Sequence, residues 1–325
     1  MKLSVFQLSR RGGRERNEDR MGYCCAREAC LVLLADGMGG HADGHVAAQI
    51  ALQSIFALFQ TRATPQIADA PAFLAEALLH AHQQILRHAR QLHMVEAPRT
   101  TLVAALLQRE QLHWIHCGDS RLYLMREGTL LARTRDHSFR EMAERAEQPQ
   151  AQANRNLLFT CLGAPTAPIF DQAGPHRLDA GDRLLLCSDG LWDPVSDAEL
   201  LQVLAHDPVS LGVPRLVATA LQRAGANSDN VTAIALEWEM PSVATAPEDF
   251  FTDALGSELF QSPLRFDLPG APVPAAPKPA APEPAAPKPA APEPAAPEDE
   301  LSEAAIERTI AEINAAIRRP SERRH

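Results

Sequence analysis

Leu31-Val-Leu-Leu-Ala-Asp36-Gly37 is an apolar run that ends in an aspartate followed by a glycine. Leu184-Leu-Leu-Cys-Ser-Asp189-Gly190 repeats this pattern, a third apolar run ends at Asp119, and Asp229 opens a fourth. Apolar runs of this length, bounded by turn residues, are typical of buried strands. A strand fixes the side chain at its end, and glycine lets the backbone approach a ligand closely. The sequence therefore predicts a strand-rich fold with carboxylates at the ends of its strands.

The remaining apolar patterns predict how these strands are covered. Helical spacing predicts helices at 42–60, 71–92 and 211–224, and Asp197 is a candidate cap for a fourth helix. Short apolar runs predict strands at 30–35, 101–107, 113–117, 121–125, 183–187 and 231–238. Strands outnumber helices and are joined mostly by short turns. This pattern is typical of α+β proteins with antiparallel sheets and outer helices, not of a doubly wound parallel sheet.

The composition changes sharply after residue 240 and divides the chain into four parts. Residues 1–240 are expected to form one folded domain, and residues 241–273 an acidic, weakly ordered extension. In the Pro/Ala-rich linker 274–300, Pro-Ala-Ala-Pro recurs every five residues, and proline at this density favours an extended spacer without a core. Residues 301–325 are predicted to be a C-terminal amphipathic helix with an arginine-rich tip.

The predicted terminal helix carries its apolar residues on one face, because they fall at helical spacing: Ile306, Ile310, Ile313 and Ile317. A single amphipathic helix on an extended tether is typical of an element that docks on a partner protein, here an unknown one. Two alternatives remain open: the helix packs back on the folded domain, or it frays.

The charge and the apolar patterns limit the partners of the chain. The formal net charge is −10, and residues 241–325 hold 8 basic and 14 acidic residues, so neither the folded domain nor the tail is basic overall. The chain opens without the apolar core of a signal peptide and holds no apolar stretch of membrane-spanning length. We therefore expect a cytoplasmic protein that binds neither nucleic acid nor membrane, with its six cysteines as reduced thiols.

The acids at the strand ends predict a cation site, because so many carboxylates are costly to desolvate unless cations neutralise them. Oxygen-only ligands select hard cations: Mg²⁺, Mn²⁺ or Ca²⁺. Two such ions about 3.5–4 Å apart can share a carboxylate and a water molecule, whose pKa they lower. Hydroxide formed there attacks phosphorus without a protein nucleophile. The N-terminal run adds Glu18, Asp19 and Arg14, and an arginine fork can grip two phosphate oxygens.

Six motifs together resemble the metal-dependent type 2C protein phosphatases in their bacterial form. They are Arg14-x-x-Asn17-Glu18-Asp19, Asp36-Gly-Met-Gly-Gly-His41, Gly118-Asp-Ser-Arg121, Asp136-His-Ser138, Ser188-Asp-Gly190 and Asp229-Asn230. Each motif is weak alone, but all of them in the family's order, over about residues 3–239, are specific. The resemblance implies a four-layer α-β-β-α sandwich of two mainly antiparallel sheets flanked by helices. It implies hydrolysis of phosphoserine and phosphothreonine in proteins by a metal-activated water, reversing a bacterial Ser/Thr kinase.

The resemblance also implies which residues hold the metal ions. Asp36 would bridge two Mg²⁺ or Mn²⁺ ions, and the Gly37 carbonyl would bind one of them. Asp189 and Asp229 would bind the other ion. Asp119 matches a carboxylate that helps hold a third, weaker ion in bacterial members.

Further positions match the family around these ligands. Glu18 and Asp19 match its acidic pair at the metal site, where Asp19 would bind an ion or hold a water molecule. Arg14 matches the family's phosphate-binding arginine. Met38 stands where some relatives, chiefly eukaryotic, have a histidine proposed to protonate the leaving alcohol. Methionine cannot donate a proton, so metal-bound water or another group would do so, and His41 is expected to have a structural or solvent role. A flap at 138–156 would lie beside the site and influence substrate choice.

Rival functions are excluded by missing residues, except one. A cysteine-dependent phosphatase needs an arginine six positions after its thiol, and none of the six cysteines has one. A kinase or P-loop NTPase needs a lysine on nucleotide phosphates, and residues 3–277 contain no lysine. The surviving alternative is a phosphoprotein-binding or scaffold protein of the same fold that acts through its tethered C-terminal helix.

Overall fold

The computed structural model describes residues 2–38, 43–145, 157–239 and 251–254. In these ranges the strands are β1 (Lys2–Arg10), β2 (Arg20–Cys25), β3 (Ala29–Ala35), β4 (Leu102–Gln108), β5 (Gln111–Cys117), β6 (Arg121–Arg126), β7 (Thr129–Arg133), β8 (Asp171–Arg177), β9 (Arg183–Cys187), β10 (Val231–Glu239) and β11 (Phe251–Ala254). The helices are α1 (Gly44–Arg62), α2 (Ala70–Gln91), α3 (Phe139–Arg145), α4 (Asp189–Trp192), α5 (Asp197–His206) and α6 (Val209–Ala224).

The strands form two sheets that pack face to face. The first sheet has the order β1-β10-β9-β6-β7, and the second has the order β11-β2-β3-β4-β5-β8. Neighbouring strands pair antiparallel in both sheets. One apolar cluster joins α1 and α2 to the second sheet, another fills the space between the sheets, and a third joins α5 and α6 to the first sheet. The predicted four-layer α-β-β-α sandwich is confirmed.

The unbroken apolar runs of the sequence follow from this layering. In β3, Leu31 and Leu33 face the helices, while Val32 and Leu34 face the other sheet. Because alternate residues of a strand point to opposite faces, a strand covered on both faces needs apolar residues at every position. All seven residues of β3 are buried.

The predicted strands and helices are present, but several elements lacked a clear signal. The six predicted strands correspond to β3, β4, β5, β6, β9 and β10, and the four predicted helices to α1, α2, α5 and α6. The edge strand β8 contains Gly174 and Pro175 and is largely exposed, so its sequence lacks an apolar pattern. Within the segment 241–273, expected to be weakly ordered, β11 pairs with β2. The linker 274–300 and the helix of 301–325 lie outside the described residues.

The prediction of six free thiols is wrong for Cys25 and Cys30, which form a disulfide. The two residues are directly opposite each other on β2 and β3, because a tight turn joins these strands. Sequence spacing did not reveal a pair held by one hairpin. The other four cysteines are buried free thiols: Cys24, Cys117, Cys161 and Cys187. Among the described helices, none has both the length and the apolar composition needed to cross a membrane.

Candidate metal centre

One open cavity of about 540 Å³ brings most of the predicted site residues together. Seven of the eight line it: Arg14, Glu18, Asp36, Gly37, Asp119, Asp189 and Asp229. The eighth, Asp19, is buried beside them, and its Oδ2 accepts a hydrogen bond from Ser188 Oγ at 2.9 Å. Residues far apart along the chain are therefore neighbours at this cavity.

Strand ends of both sheets position these acids. Asp36 directly follows β3, and Asp119 lies two residues after the end of β5; both strands belong to the second sheet. Asp189 begins α4 shortly after β9, and Asp229 shortly precedes β10, both in the first sheet. Because the two sheets pack face to face, the cavity lies where strand ends of both sheets meet.

The Asp36-Gly37 turn is fixed by its neighbours. The Asp36 amide donates to Thr101 Oγ1 at 3.0 Å, and the Thr101 amide and Thr100 Oγ1 each donate to the Asp36 carbonyl at 2.8 Å. A Cβ atom on Gly37 would lie 2.5 Å from the carbonyl carbon of Gly44 and 2.8 Å from the Glu18 carbonyl oxygen. Gly37 must therefore be a glycine, and although it is buried from bulk solvent, it lines the cavity.

Asn230 holds the N-terminal run against the acids. Its Oδ1 accepts a hydrogen bond from the Glu18 amide at 2.8 Å, and its Nδ2 donates to the carbonyls of Arg11 at 2.7 Å and Arg16 at 2.9 Å. Sequence reasoning gave no role to Asn230 or to Ser188, which donates to Asp19. Each of the two residues stands next to a predicted acid within a motif, and this position was the signal that could have indicated a supporting role.

The electrostatics of the site oppose the presence of so many charges without cations. Burial, reinforced by neighbouring carboxylates, raises the pKa of Asp36 and of Asp189 well above the usual range. Burial likewise raises the pKa of Asp19 to about 6 and that of Asp119 to about 7. Glu18 Oε2 and Asp19 Oδ1 are buried without a hydrogen-bond partner.

This donor set fits hard divalent cations. Native proteins rarely leave buried carboxylate oxygens unpaired, so the unpaired oxygens indicate a ligand that protein atoms do not supply. The candidate donors are carboxylate oxygens and one backbone carbonyl, the ligands that Mg²⁺, Mn²⁺ and Ca²⁺ prefer. A cation among these acids would restore their normal ionisation by offsetting the repulsion.

Arg14 supplies a positive charge next to the acids, and it lines the cavity together with Arg16. Its Nη2 lies 2.5 Å from Asp229 Oδ2, and the two side chains are 55% and 36% exposed. This hydrogen bond and the charge of Asp229 raise the pKa of Arg14. An exposed guanidinium beside the acids is accessible to a phosphate group that enters from solvent.

Two other predicted features are described only in part. Met38, which follows Gly37, lines the cavity. His41 lies outside the described residues. The first part of the expected flap forms α3, and residues 146–156 are likewise outside them.

A second cluster that the sequence did not predict consists of His116, His137 and Asp171, whose candidate ligand atoms lie within 4.8 Å of one another. His137 Nδ1 accepts a hydrogen bond from the Gly118 amide at 3.2 Å, so the ring proton is on Nε2, 3.4 Å from Asp171 Oδ2. Hydrogen bonds therefore account for the position of His137, because the lone pair of Nδ1 already accepts the Gly118 amide. We do not assign a cation to this cluster.

Comparison with known protein families gives one match over most of the chain. The family model described as Protein phosphatase 2C matches residues 7–224. Serine/threonine protein phosphatase PstP of Mycobacterium tuberculosis is 36% identical over 227 residues, a region that covers 68% of this chain and 42% of that relative. The chain thus matches less than half the length of this relative. Serine/threonine phosphatase stp of Listeria welshimeri is 30% identical, with 71% of this chain and 94% of the relative covered.

Solved structures give the same fold. The catalytic domain of PstP, in complex with two manganese ions, is 34% identical with a TM-score of 0.61, and the match covers 72% of this chain and 97% of that one. Serine/threonine phosphatase Stp1 from Staphylococcus aureus is 27% identical with a TM-score of 0.66, covering 74% of this chain and 96% of that one.

Proposed function

Because this chain belongs to the protein phosphatase 2C family, we propose that it is a metal-dependent phosphatase that removes phosphate from phosphoserine and phosphothreonine in proteins. The observation that carries the proposal is the meeting of six acids and Arg14 at one cavity. The acids suit divalent cations, and the arginine suits the phosphate group.

The cavity residues divide into cation ligands and their support. Asp36, the Gly37 carbonyl, Asp189 and Asp229 would hold two Mg²⁺ or Mn²⁺ ions, and Asp119 would help to hold a third. When bound, the ions supply a water molecule of lowered pKa and offset negative charge on the phosphoryl group. The two-manganese complex of the similar PstP domain supports this cofactor class. Glu18 and Asp19 add negative charge beside the ions, with Asp19 held by Ser188.

Arg14 orients the substrate. Its planar fork can donate to two phosphate oxygens at once, which directs phosphorus toward the acids. Hydrolysis transfers the phosphoryl group to water, breaks the bond to the seryl or threonyl oxygen, and leaves that oxygen in need of a proton. Met38 lines the cavity and carries no proton to give. We therefore assign this proton to water in the cavity.

The proposal extends to the organisation and partners of the chain. Residues 1–240 would be the catalytic domain, residues 274–300 a linker, and 301–325 a docking helix for another protein. The substrates would be phosphoproteins made by a Ser/Thr kinase in the cytoplasm. The presence of every acid of the centre disfavours the alternative of a scaffold that only binds phosphoproteins.

Phosphate release from a phosphothreonine peptide tests the proposal. The purified chain should release phosphate with Mn²⁺ and should stop when the ion is chelated. Asp36→Asn should lower kcat by about 100-fold or more, because it removes a charge at the reacting centre. Asp207→Asn is a matched control, since Asp207 pairs with Arg215 outside the cavity. Turnover by Asp36→Asn at the parent rate would overturn the mechanism.

A further inference from the structure

The Asp119 carboxylate depends on its backbone for its position. Asp119 lies in the short turn between β5 and β6 and lines the cavity. Within the described part of the chain, no side chain donates a hydrogen bond to this carboxylate, which accepts one from its own backbone amide. Whatever fixes the turn therefore fixes the carboxylate.

Two neighbours hold the residue before Asp119. The His137 amide donates to the Gly118 carbonyl at 3.0 Å, and the Gly118 amide donates to His137 Nδ1 at 3.2 Å. Gly118 has a φ of +107°, and a Cβ there would lie 2.7 Å from Thr101 Cγ2. The turn is thus fixed on the side of β5, but these contacts do not connect it to Asp189.

Trp192 makes the connection to the helix that carries Asp189. Asp189 is the first residue of α4 and Trp192 is the last. The indole Nε1 donates to the Asp119 carbonyl at 3.0 Å. The bond therefore joins two short elements that each present an acid to the cavity.

The indole ring is itself held in place. The Arg121 guanidinium lies 3.6 Å from its ring centroid, a cation–π contact. Arg121 donates two hydrogen bonds to the Asp136 carboxylate, at 2.8 and 2.7 Å, so its plane is fixed. Ring position and donor direction are both set before any ligand binds.

The bond from Trp192 also limits the distance between the two elements. Its donor belongs to α4 and its acceptor to the turn, so it holds the backbone that carries Asp119 next to the helix that begins with Asp189.

We propose that Trp192 is a positioning residue that holds the Asp119 turn against α4, so that Asp119 and Asp189 remain close enough to bind the weakest cation of the centre. This inference rests on the proposed cation centre and names a residue outside its ligand set. Trp192 contacts neither the substrate nor the ions and acts through Asp119.

Calorimetric titration of the full chain with MnCl₂ tests the role of Trp192. Trp192→Phe keeps an aromatic ring beside Arg121 and removes the N–H donor. Asp119→Asn should abolish one step of manganese binding. Trp192→Phe loses one neutral hydrogen bond and should weaken the affinity of that same step by about 2- to 10-fold, while the affinities of the other manganese-binding steps stay unchanged. In the Asp119→Asn background, Trp192→Phe should have no further effect, because both changes act on the same ligand.

Controls separate positioning from folding. Trp114→Phe is the matched control, because Trp114 stacks on His176 and does not line the cavity. If Trp192→Phe lowers the melting temperature strongly, benzothienylalanine at position 192 keeps the ring shape and replaces only the N–H with sulfur. The proposal would be overturned if Trp192→Phe and the benzothienylalanine variant both bound manganese as the parent does. It would also be overturned if Trp192→Phe lowered manganese affinity equally in the parent and in the Asp119→Asn background.

The titration needs no turnover, so it separates this inference from the proposed function. A chain that binds Mn²⁺ but releases no phosphate from phosphopeptides would contradict the phosphatase proposal, while the comparison of variants would still decide the role of Trp192. A parent chain that binds no Mn²⁺ would overturn both.

Discussion

Arg14→Ala should change cation binding and turnover in opposite directions. Arg14 Nη2 lies 2.5 Å from Asp229 Oδ2, while Asp229 Oδ1 accepts a hydrogen bond from the Asn230 amide at 2.7 Å. A cation that binds Asp229 must therefore compete with Arg14. The pair is substantially exposed, and such ion pairs contribute about 0.2–1 kcal/mol. Removing Arg14 should thus tighten Mn²⁺ binding by up to about fivefold.

Turnover should fall in the same variant. If Arg14 binds the phosphate group, Arg14→Ala removes a hydrogen bond to a charged group, which is worth about 1.5–3 kcal/mol. The specificity constant kcat/KM for a phosphothreonine peptide should therefore fall by about 10- to 150-fold. A loss of metal affinity cannot explain this decrease, because the affinity is expected to rise.

Calorimetry with MnCl₂ and phosphate release at saturating Mn²⁺ measure the two effects separately. Arg11→Ala is the matched control, because it removes one positive charge from the same exposed segment, and the Arg11 guanidinium contacts the Glu15 carbonyl rather than Asp229. If Arg11→Ala tightened manganese binding as much as Arg14→Ala does, the change in net charge alone would explain the higher affinity. Unchanged or weaker manganese binding by Arg14→Ala would refute the competition.

The remaining predictions concern stability and the tail. Without added cations, Asp36→Asn should raise the melting temperature, since it removes one of several buried like charges; a lower value would contradict this. In the same state, pKa values of about 6 for Asp19 and about 7 for Asp119 mean that the folded chain holds protons that the unfolded chain releases. The free energy of unfolding, measured in urea, should therefore fall as pH rises from about 4 to about 7, and a rise would count against it. Ser196→Ala, which breaks the capping box of α5, should cost about 1 kcal/mol in urea unfolding, and no change would show the cap to be dispensable. Deleting residues 301–325 should abolish partner capture and leave phosphate release unchanged; intact capture would exclude the docking helix.

Local patterns in the sequence were sufficient to predict the acids and most of the core. The strand β3 reads as an unbroken apolar run because both of its faces are covered, and Asp36 marks the point where that burial ends. Asp189 follows the same rule after β9. The order of the motifs then predicted which acids meet, through resemblance to a family rather than through spacing.

Contacts between distant residues could not be predicted in this way. The ion pair of Arg14 with Asp229 joins residues 215 positions apart, and the hydrogen bond from Trp192 to Asp119 spans 73 positions. The first contact depends on the pairing of β1 with β10, and the second on how the turn after β5 meets the helix after β9, and no local pattern encodes either. The strand β1 was also missed, although it pairs along its whole length with β10 at the edge of the first sheet. Its polar residues and arginines obscured the alternation.

Anomalous diffraction from crystals grown with Mn²⁺ would test the cation centre most directly. We expect manganese peaks within bonding distance of the Asp36 carboxylate, with Asp189 and Asp229 as further ligands. Crystals of active protein that show no anomalous density among these three carboxylates would contradict the assignment of this cavity as the metal centre.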